Sequence, residues 1–129
     1  MWRVLVVDDD FTNRRLIIEI VREKAHCDAA ANGYEALAAF STAIKENRPY
    51  DIILLDIAMP DMDGIAVLDK IREMEQEAGI LFGSGIPIIM VTAYKEPFLE
   101  AFNKGCDDYI VKPIDARILL AKMEEKIRT

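Results

Sequence analysis

The chain is short of the residues that staple small domains. It holds two cysteines, Cys27 and Cys106, and a single histidine, His26. The cysteines stand apart, without zinc-ligand spacing, which excludes metal ribbons and disulfide scaffolds and leaves two free thiols. No apolar run approaches the roughly eighteen residues that cross a bilayer. The opening Met1-Trp2-Arg3 is not a charged leader followed by an apolar core. A cytoplasmic protein that does not span a membrane is expected. Positive charge is scarce as well: Asp and Glu outnumber Lys and Arg 23 to 16, for a net charge of −7. That balance opposes attraction to nucleic acid or anionic lipid, so any contact with DNA would need another domain. There is no linker, repeat or low-complexity tract, and 129 residues suit one domain, 1–129, with no output domain in the chain.

What is present is a repeated arrangement. Val4-Leu5-Val6-Val7 runs into Asp8-Asp9, Ile52-Ile53-Leu54-Leu55 into Asp56, Ile88-Ile89-Met90-Val91 into Thr92, and Tyr109-Ile110-Val111 into Lys112. Continuous apolar runs suit strands buried on both faces of a parallel sheet, and such sheets bind ligands beyond the carboxyl ends of their strands. Two carboxylate positions, a hydroxyl and an ammonium are thereby directed to one edge.

Segments of helical period lie between the runs. Leu16, Ile17, Ile20 and Val21 give a stripe within Thr12 to Lys24, and Leu37, Phe40 and Ile44 repeat up to Asn47. A weak strand spans Cys27 to Ala31. Asp63 can cap a helix whose buried face is Val67, Leu68, Ile71 and Met74. Short and final helices are expected over Pro97 to Lys104 and Asp115 to Ile127, the latter with Leu119, Leu120, Met123 and Ile127 inward. Gly79, Gly83, Ser84 and Gly85 mark a loop in which Leu81 and Phe82 either cover the fold or offer a contact. Phe40, Phe98 and Phe102 are assigned to the core. The alternation is α/β, with right-handed crossovers placing helices on both faces.

If Asp8, Asp9 and Asp56 meet, each close pair of carboxylates repels by roughly 3–4 kcal/mol at an effective dielectric near 20. Oxygen-only ligation with open positions suits Mg²⁺, or Mn²⁺ in its place. Asp56, ending a strongly apolar run, is the carboxylate best placed for nucleophilic attack. Lys112 and Thr92 can take up charge on phosphoryl oxygens. Taken singly, each element has a plain alternative. An acidic pair after a strand often only caps a helix, and Asp10 is assigned that role; the combination points to phosphoryl transfer. His26 is read as a partly exposed bystander.

In order and spacing, Val4-Leu5-Val6-Val7-Asp8-Asp9, Leu54-Leu55-Asp56 through Met59-Pro60-Asp61-Met62-Asp63-Gly64, Val91-Thr92-Ala93 and Tyr109-Ile110-Val111-Lys112-Pro113 resemble the receiver domains of two-component response regulators. Ala30-Ala31-Asn32-Gly33-Tyr34-Glu35-Ala36-Leu37 extends the likeness. The resemblance implies a flavodoxin-like, doubly wound five-stranded sheet of order 2-1-3-4-5 with five helices. It further implies that Asp56 accepts a phosphoryl group from a phosphohistidine of a sensor histidine kinase or phosphotransfer protein. Asp9, Asp56 and the Ala58 carbonyl would ligate the metal directly, with Asp8 helping through water. Lys112 would pair with Asp56 and then the phosphate, Thr92 would move toward a phosphoryl oxygen, and Tyr109 would follow by rotating inward. The readout surface would be the fourth helix, fifth strand and fifth helix. That surface would meet a downstream protein, a linked output domain or a second copy in a phosphorylation-linked homodimer. A cis Lys112-Pro113 peptide belongs to the same expectation.

The implied domain is a signalling phosphoacceptor rather than an enzyme. Two other readings stand beside it. A pseudo-receiver would keep the fold and only bind partners. An aspartate-nucleophile phosphatase of the haloacid dehalogenase type would want a second Asp two residues past Asp56, where this chain has Ala58.

Overall fold

The computed structural model describes residues 1–127; the expected domain end at residue 129 lies outside the described residues. The elements are β1 (Trp2–Val7), α1 (Phe11–Val21), β2 (Ala25–Ala30), α2 (Gly33–Lys45), β3 (Ile52–Leu55), α3 (Gly64–Glu77), β4 (Ile88–Thr92), α4 (Phe98–Asn103), β5 (Asp108–Val111) and α5 (Ala116–Lys126). All strand pairings are parallel, and the sheet order is β2-β1-β3-β4-β5. The residue pattern predicts the α/β alternation, and the family resemblance the flavodoxin-like order observed here.

The apolar runs divide by alternate residues between two cores. Leu5, Val7, Ile53, Leu55, Ile88 and Met90 face the side of α2, α3 and α4. Val4, Val6, Ile52, Leu54, Ile89 and Val91 face α1 and α5. Every one of these side chains is at most 1% exposed, because a strand covered on both faces has no polar side to offer. β2 is the exception. As an edge strand, Ala25-His26-Cys27-Asp28-Ala29-Ala30 keeps only its end residues buried, which accounts for its weak sequence signal.

Helix starts are set by side-chain caps that satisfy otherwise orphaned amides. Asp10 accepts from Thr12 and Asn13, Asp63 from Ala66, and Asp115 from Arg117 and Ile118. Asn32 accepts from the Glu35 amide at 2.9 Å, while Glu35 Oε1 accepts from the Ala31 amide at 2.9 Å.

Several local expectations shift. α1 stops at Val21 rather than Lys24 and buries Ile17 and Val21, while Leu16 is 46% exposed. β2 begins at Ala25, before Cys27, and α2 ends at Lys45 with Ile44 half in solvent. Phe98 is also half exposed, whereas Phe40 is buried. In each case the buried stripe is narrower than the apolar one, because a helix lying on a sheet edge covers less of its own circumference. The glycine-flanked loop does not cover the fold: Leu81 and Phe82 are 77% and 70% exposed. The Lys112-Pro113 peptide is cis.

Candidate functional site

The sheet carries its ladder just beyond the strands and so fixes the residues that follow them. The Asp8 amide donates to the Ala30 carbonyl (3.1 Å), that of Asp56 to Val7 (2.9 Å), and that of Lys112 to Thr92 (2.7 Å). Four chain segments are thereby locked at one edge. Asp8 and Asp56 are buried, Thr92 is fully buried, and Asp9 is exposed. One carboxylate oxygen from each of Asp8, Asp9 and Asp56 lies within 4.8 Å of the others.

Lys112 Nζ approaches Asp8 Oδ2 at 2.8 Å and Asp56 Oδ2 at 3.6 Å. The expected pairing with Asp56 is present, and Asp8 is a second, tighter partner. The reason is burial: Asp8 is the more enclosed carboxylate at 1% exposure, and a counter-ion gains most where water is least available. Asp8 is itself held on two sides. Its Oδ1 accepts from the Asp10 amide (2.9 Å), and its carbonyl accepts from Arg14 Nη1 (2.8 Å). Arg14 was not legible as a site residue. Its only signal is a cation placed one helical turn into α1, where it can fold back over the preceding loop.

Asp56 retains a buried Oδ1 with no hydrogen-bond partner among the described residues. Burial pushes its carboxyl above the ordinary value, nearby Lys112 opposes the shift, and Asp8 adds to it. A carboxyl with a raised folded-state pKa favours the fold while protonated, and that contribution is lost as pH rises through the folded value. Asp56→Asn is therefore expected to melt above wild type at pH 7 in chelator-treated buffer, with the gap closing as pH falls through the raised folded value and gone below about 4, the ordinary carboxyl range. Thermal unfolding at several pH values checks this; a gap that does not change with pH contradicts it.

The donor set fits a divalent cation. It consists of carboxylate oxygens only, one of them orphaned, at a crowding that demands positive charge. Ala58 is exposed on the loop after β3. The neighbouring Ile57 carbonyl takes the amides of Met59 (3.0 Å) and Gly64 (2.9 Å), whereas no backbone amide among the described residues reaches the Ala58 carbonyl. The tight shape of this loop is set by Asp61 at φ 68° and by Gly64, whose backbone lies directly on that of Asp56.

Beside the pocket, Thr92 Oγ1 accepts weakly from the Tyr94 amide (3.4 Å), and the Tyr109 hydroxyl donates to the Tyr94 carbonyl. Tyr109 is already inward at 8% exposure, its ring 5.5 Å from that of Phe98. The expected inward rotation is thus the resting position in this structure. His26 is exposed on β2, paired in register with Arg3 near the far end of β1. Cys27 and Cys106 pack on opposite sides of the sheet, and burial pushes their thiols up to about 11 and about 12. Neither belongs to the site.

Comparison with known proteins gives this geometry a context. The family described as response regulator receiver domain matches residues 4–124. The transcriptional regulatory protein SrrA of Staphylococcus aureus is 39% identical over 128 residues, covering 97% of this chain and 47% of the relative. The chain therefore spans about half the length of the curated relatives it matches. A CheY-like receiver domain protein from Methanospirillum hungatei superimposes with a TM-score of 0.82 at 34% identity, covering 98% of this chain and 94% of the other. The Thermotoga maritima response regulator TrrA, solved in complex with Mg²⁺ and beryllium fluoride, gives 0.81 at 32% identity over 97% and 98% of the two chains. With five strands in the family order and the model matching nearly end to end, the chain belongs to the receiver domains of response regulators.

Proposed function

We propose that this domain is a phosphorylation-dependent switch whose phosphoacceptor is Asp56. The observation that carries the reading is the buried, unpaired Oδ1 of Asp56 beside Asp8 and Asp9, with the Lys112 ammonium 3.6 Å from its other oxygen. In the reaction, a carboxylate oxygen of Asp56 attacks phosphorus of a phosphohistidine on a sensor kinase or phosphotransfer protein. The P–N bond breaks, and its electron pair and a proton go to the leaving imidazole, leaving an acyl phosphate on Asp56. Asp8, Asp9, Asp56 and the Ala58 carbonyl would hold Mg²⁺ or Mn²⁺, which supplies charge neutralisation for carboxylate and phosphoryl oxygens. Lys112 then shifts its weight from Asp8 toward the phosphoryl group, and the Thr92 hydroxyl donates to another of its oxygens.

The output follows from the neighbours of Thr92. A hydroxyl drawn toward the phosphoryl group moves the Tyr94 segment, to which Tyr109 is tethered, and so biases α4, β5 and α5. That surface already exposes Leu99, Val111 and Ile118. Its reader is a downstream protein, a linked output domain or a second copy. The test is incubation with Mg²⁺ and acetyl phosphate followed by intact mass. A single magnesium-dependent, base-labile adduct absent from Asp56→Asn supports the reading. No adduct on folded wild-type protein would instead indicate a binding module.

Rate is set by two residues near the phosphoacceptor. The Ala58 methyl cannot orient an attacking water, and Tyr94, bulky and half exposed, shades the phosphoryl group. Slow autodephosphorylation is expected, with Ala58→Asn shortening the acyl-phosphate lifetime about tenfold, equivalent to ~1.4 kcal/mol of barrier. Equal lifetimes would refute this account.

A further inference from the structure

At the opposite end of the sheet from Asp56, a second buried charge cluster ties down the helix that the switch would move. Arg72, on α3, uses all five of its N–H donors. Nε and Nη2 donate to the Gly105 carbonyl (3.0 and 2.8 Å), Nη1 to Glu75 Oε1 (2.7 Å) and the Ile86 carbonyl (2.8 Å), and Nη2 also to Asp107 Oδ2 (3.0 Å). The acceptors are tied in turn to the sheet. Glu75 Oε2 takes the Ile86 amide (2.7 Å), and Asp107 Oδ2 takes the Ile88 amide (2.8 Å). The side chains of Arg72 and Glu75 are 13% and 6% exposed, so the pairing has little competition from water. One guanidinium thus joins α3, the entry to β4, and the turn that leads from α4 into β5.

Besides this clamp, the carboxyl end of α4 is tied by an exposed Lys104–Asp69 ion pair (3.7 Å) and by the Asp107 amide donating to the Ile88 carbonyl (2.8 Å). The helix is six residues long, its N-cap Pro97 supplies no side-chain bond, and its one buried residue is Ala101. The turn at its carboxyl end is fixed through Gly105, at φ +105°, where a β-carbon would lie 3.2 Å from Arg72 Nε. Its amino end instead meets the signalling side of the molecule, through Phe98 against Tyr109, whose hydroxyl donates to the Tyr94 carbonyl. Input arrives at one end of the helix and the anchor is at the other.

We infer that Arg72 is a positioning residue of the switch: its clamp on Gly105 fixes the carboxyl end of α4, so that signalling swings the amino end about it. The pivot rests on the proposed switching function; the anchor itself does not. Hinges of this kind, at element termini, convert a small displacement at one end into a directed motion.

Amide hydrogen exchange on the full chain, with Mg²⁺ alone and with Mg²⁺ plus beryllium fluoride, tests both parts. In wild type, amides 104–107 are expected to exchange at least about tenfold slower than amides 98–100, as anchored and loosely held segments do. Beryllium fluoride should alter 98–100 and leave 104–107 unchanged. In Arg72→Lys, whose single ammonium cannot span the same acceptors, 104–107 should accelerate and the response should spread into them. Asp107→Asn is the milder companion, expected to show the same change in smaller degree. Wild-type amides 104–107 that exchange as fast as 98–100, or respond equally to beryllium fluoride, overturn the inference without recourse to any variant. So does a folded Arg72→Lys protein with unchanged protection. If beryllium fluoride changes no segment, the pivot fails together with the switch, and slow exchange at 104–107 distinguishes that result from failure of the anchor.

Discussion

Gly64→Ala is expected to lose about 3 kcal/mol of stability, at the upper end of the overpacking range, and to label far more slowly with acetyl phosphate. A β-carbon at Gly64 would lie 2.1 Å from the Asp56 carbonyl oxygen and 2.8 Å from both its carbonyl carbon and Ile57 Cα. All three are backbone atoms, so no rotamer change relieves the contact. The Gly64 amide also closes the loop by donating to the Ile57 carbonyl at 2.9 Å. To admit a methyl group, the chain must push α3 away from β3 or displace Asp56. An ångström of displacement at a reacting carboxylate costs about a hundredfold in rate. Urea unfolding and adduct formation measured on the same preparation separate the two effects. Wild-type stability combined with wild-type labelling would show that the close approach does not shape the site.

Lys112→Met should be destabilised by about 3–5 kcal/mol in chelator-treated buffer, the cost of leaving a buried charge without its partner. The ammonium is the counter-ion nearest to Asp8 at 2.8 Å and also lies within 4.0 Å of Asp56. Without it, two buried carboxylates face each other uncompensated. A divalent cation should then bind more tightly than in wild type, because it no longer competes with Lys112 for Asp8. It should also restore stability by mass action, by about 2.7 kcal/mol at a hundred times Kd. The measurement is thermal unfolding across a Mg²⁺ titration in both proteins. The variant should begin lower and gain more. Equal gains would mean that lysine and metal occupy the cluster without competing.

Much of this architecture can be read directly from the chain. Val4 to Val7, Ile52 to Leu55 and Ile88 to Val91 are legible because strands covered on both sides carry no polar residues, and the groups that follow them must then share an edge. Caps such as Asp10 and Asp63 are legible because they act within three residues of themselves. Burial at α-helical faces is less so. Leu16, Ile44 and Phe98 share the period of their buried neighbours, and only the docking angle of each helix decides how wide a stripe is covered. The preference of Lys112 for Asp8 over Asp56 depends on relative enclosure, which one-dimensional spacing does not encode. Arg72 illustrates the limit most clearly. It reads as an ordinary surface cation on an amphipathic helix, yet its acceptors Ile86, Gly105 and Asp107 lie far along the chain and meet it only through the sheet.

The contact between Lys112 and Asp8 joins residues 104 positions apart. Such a closure cannot occur until almost the whole receiver domain has been made, and non-local pairings of parallel strands are slow to form. Asp8 and Asp56 follow strands that pair directly, β1 with β3, whereas the lysine between their charges comes just after the last strand of the domain. The acidic edge is an electrostatic debt carried by the half-made chain and discharged by its last strand. A domain halted short of Lys112 is expected to remain loose however apolar its first half.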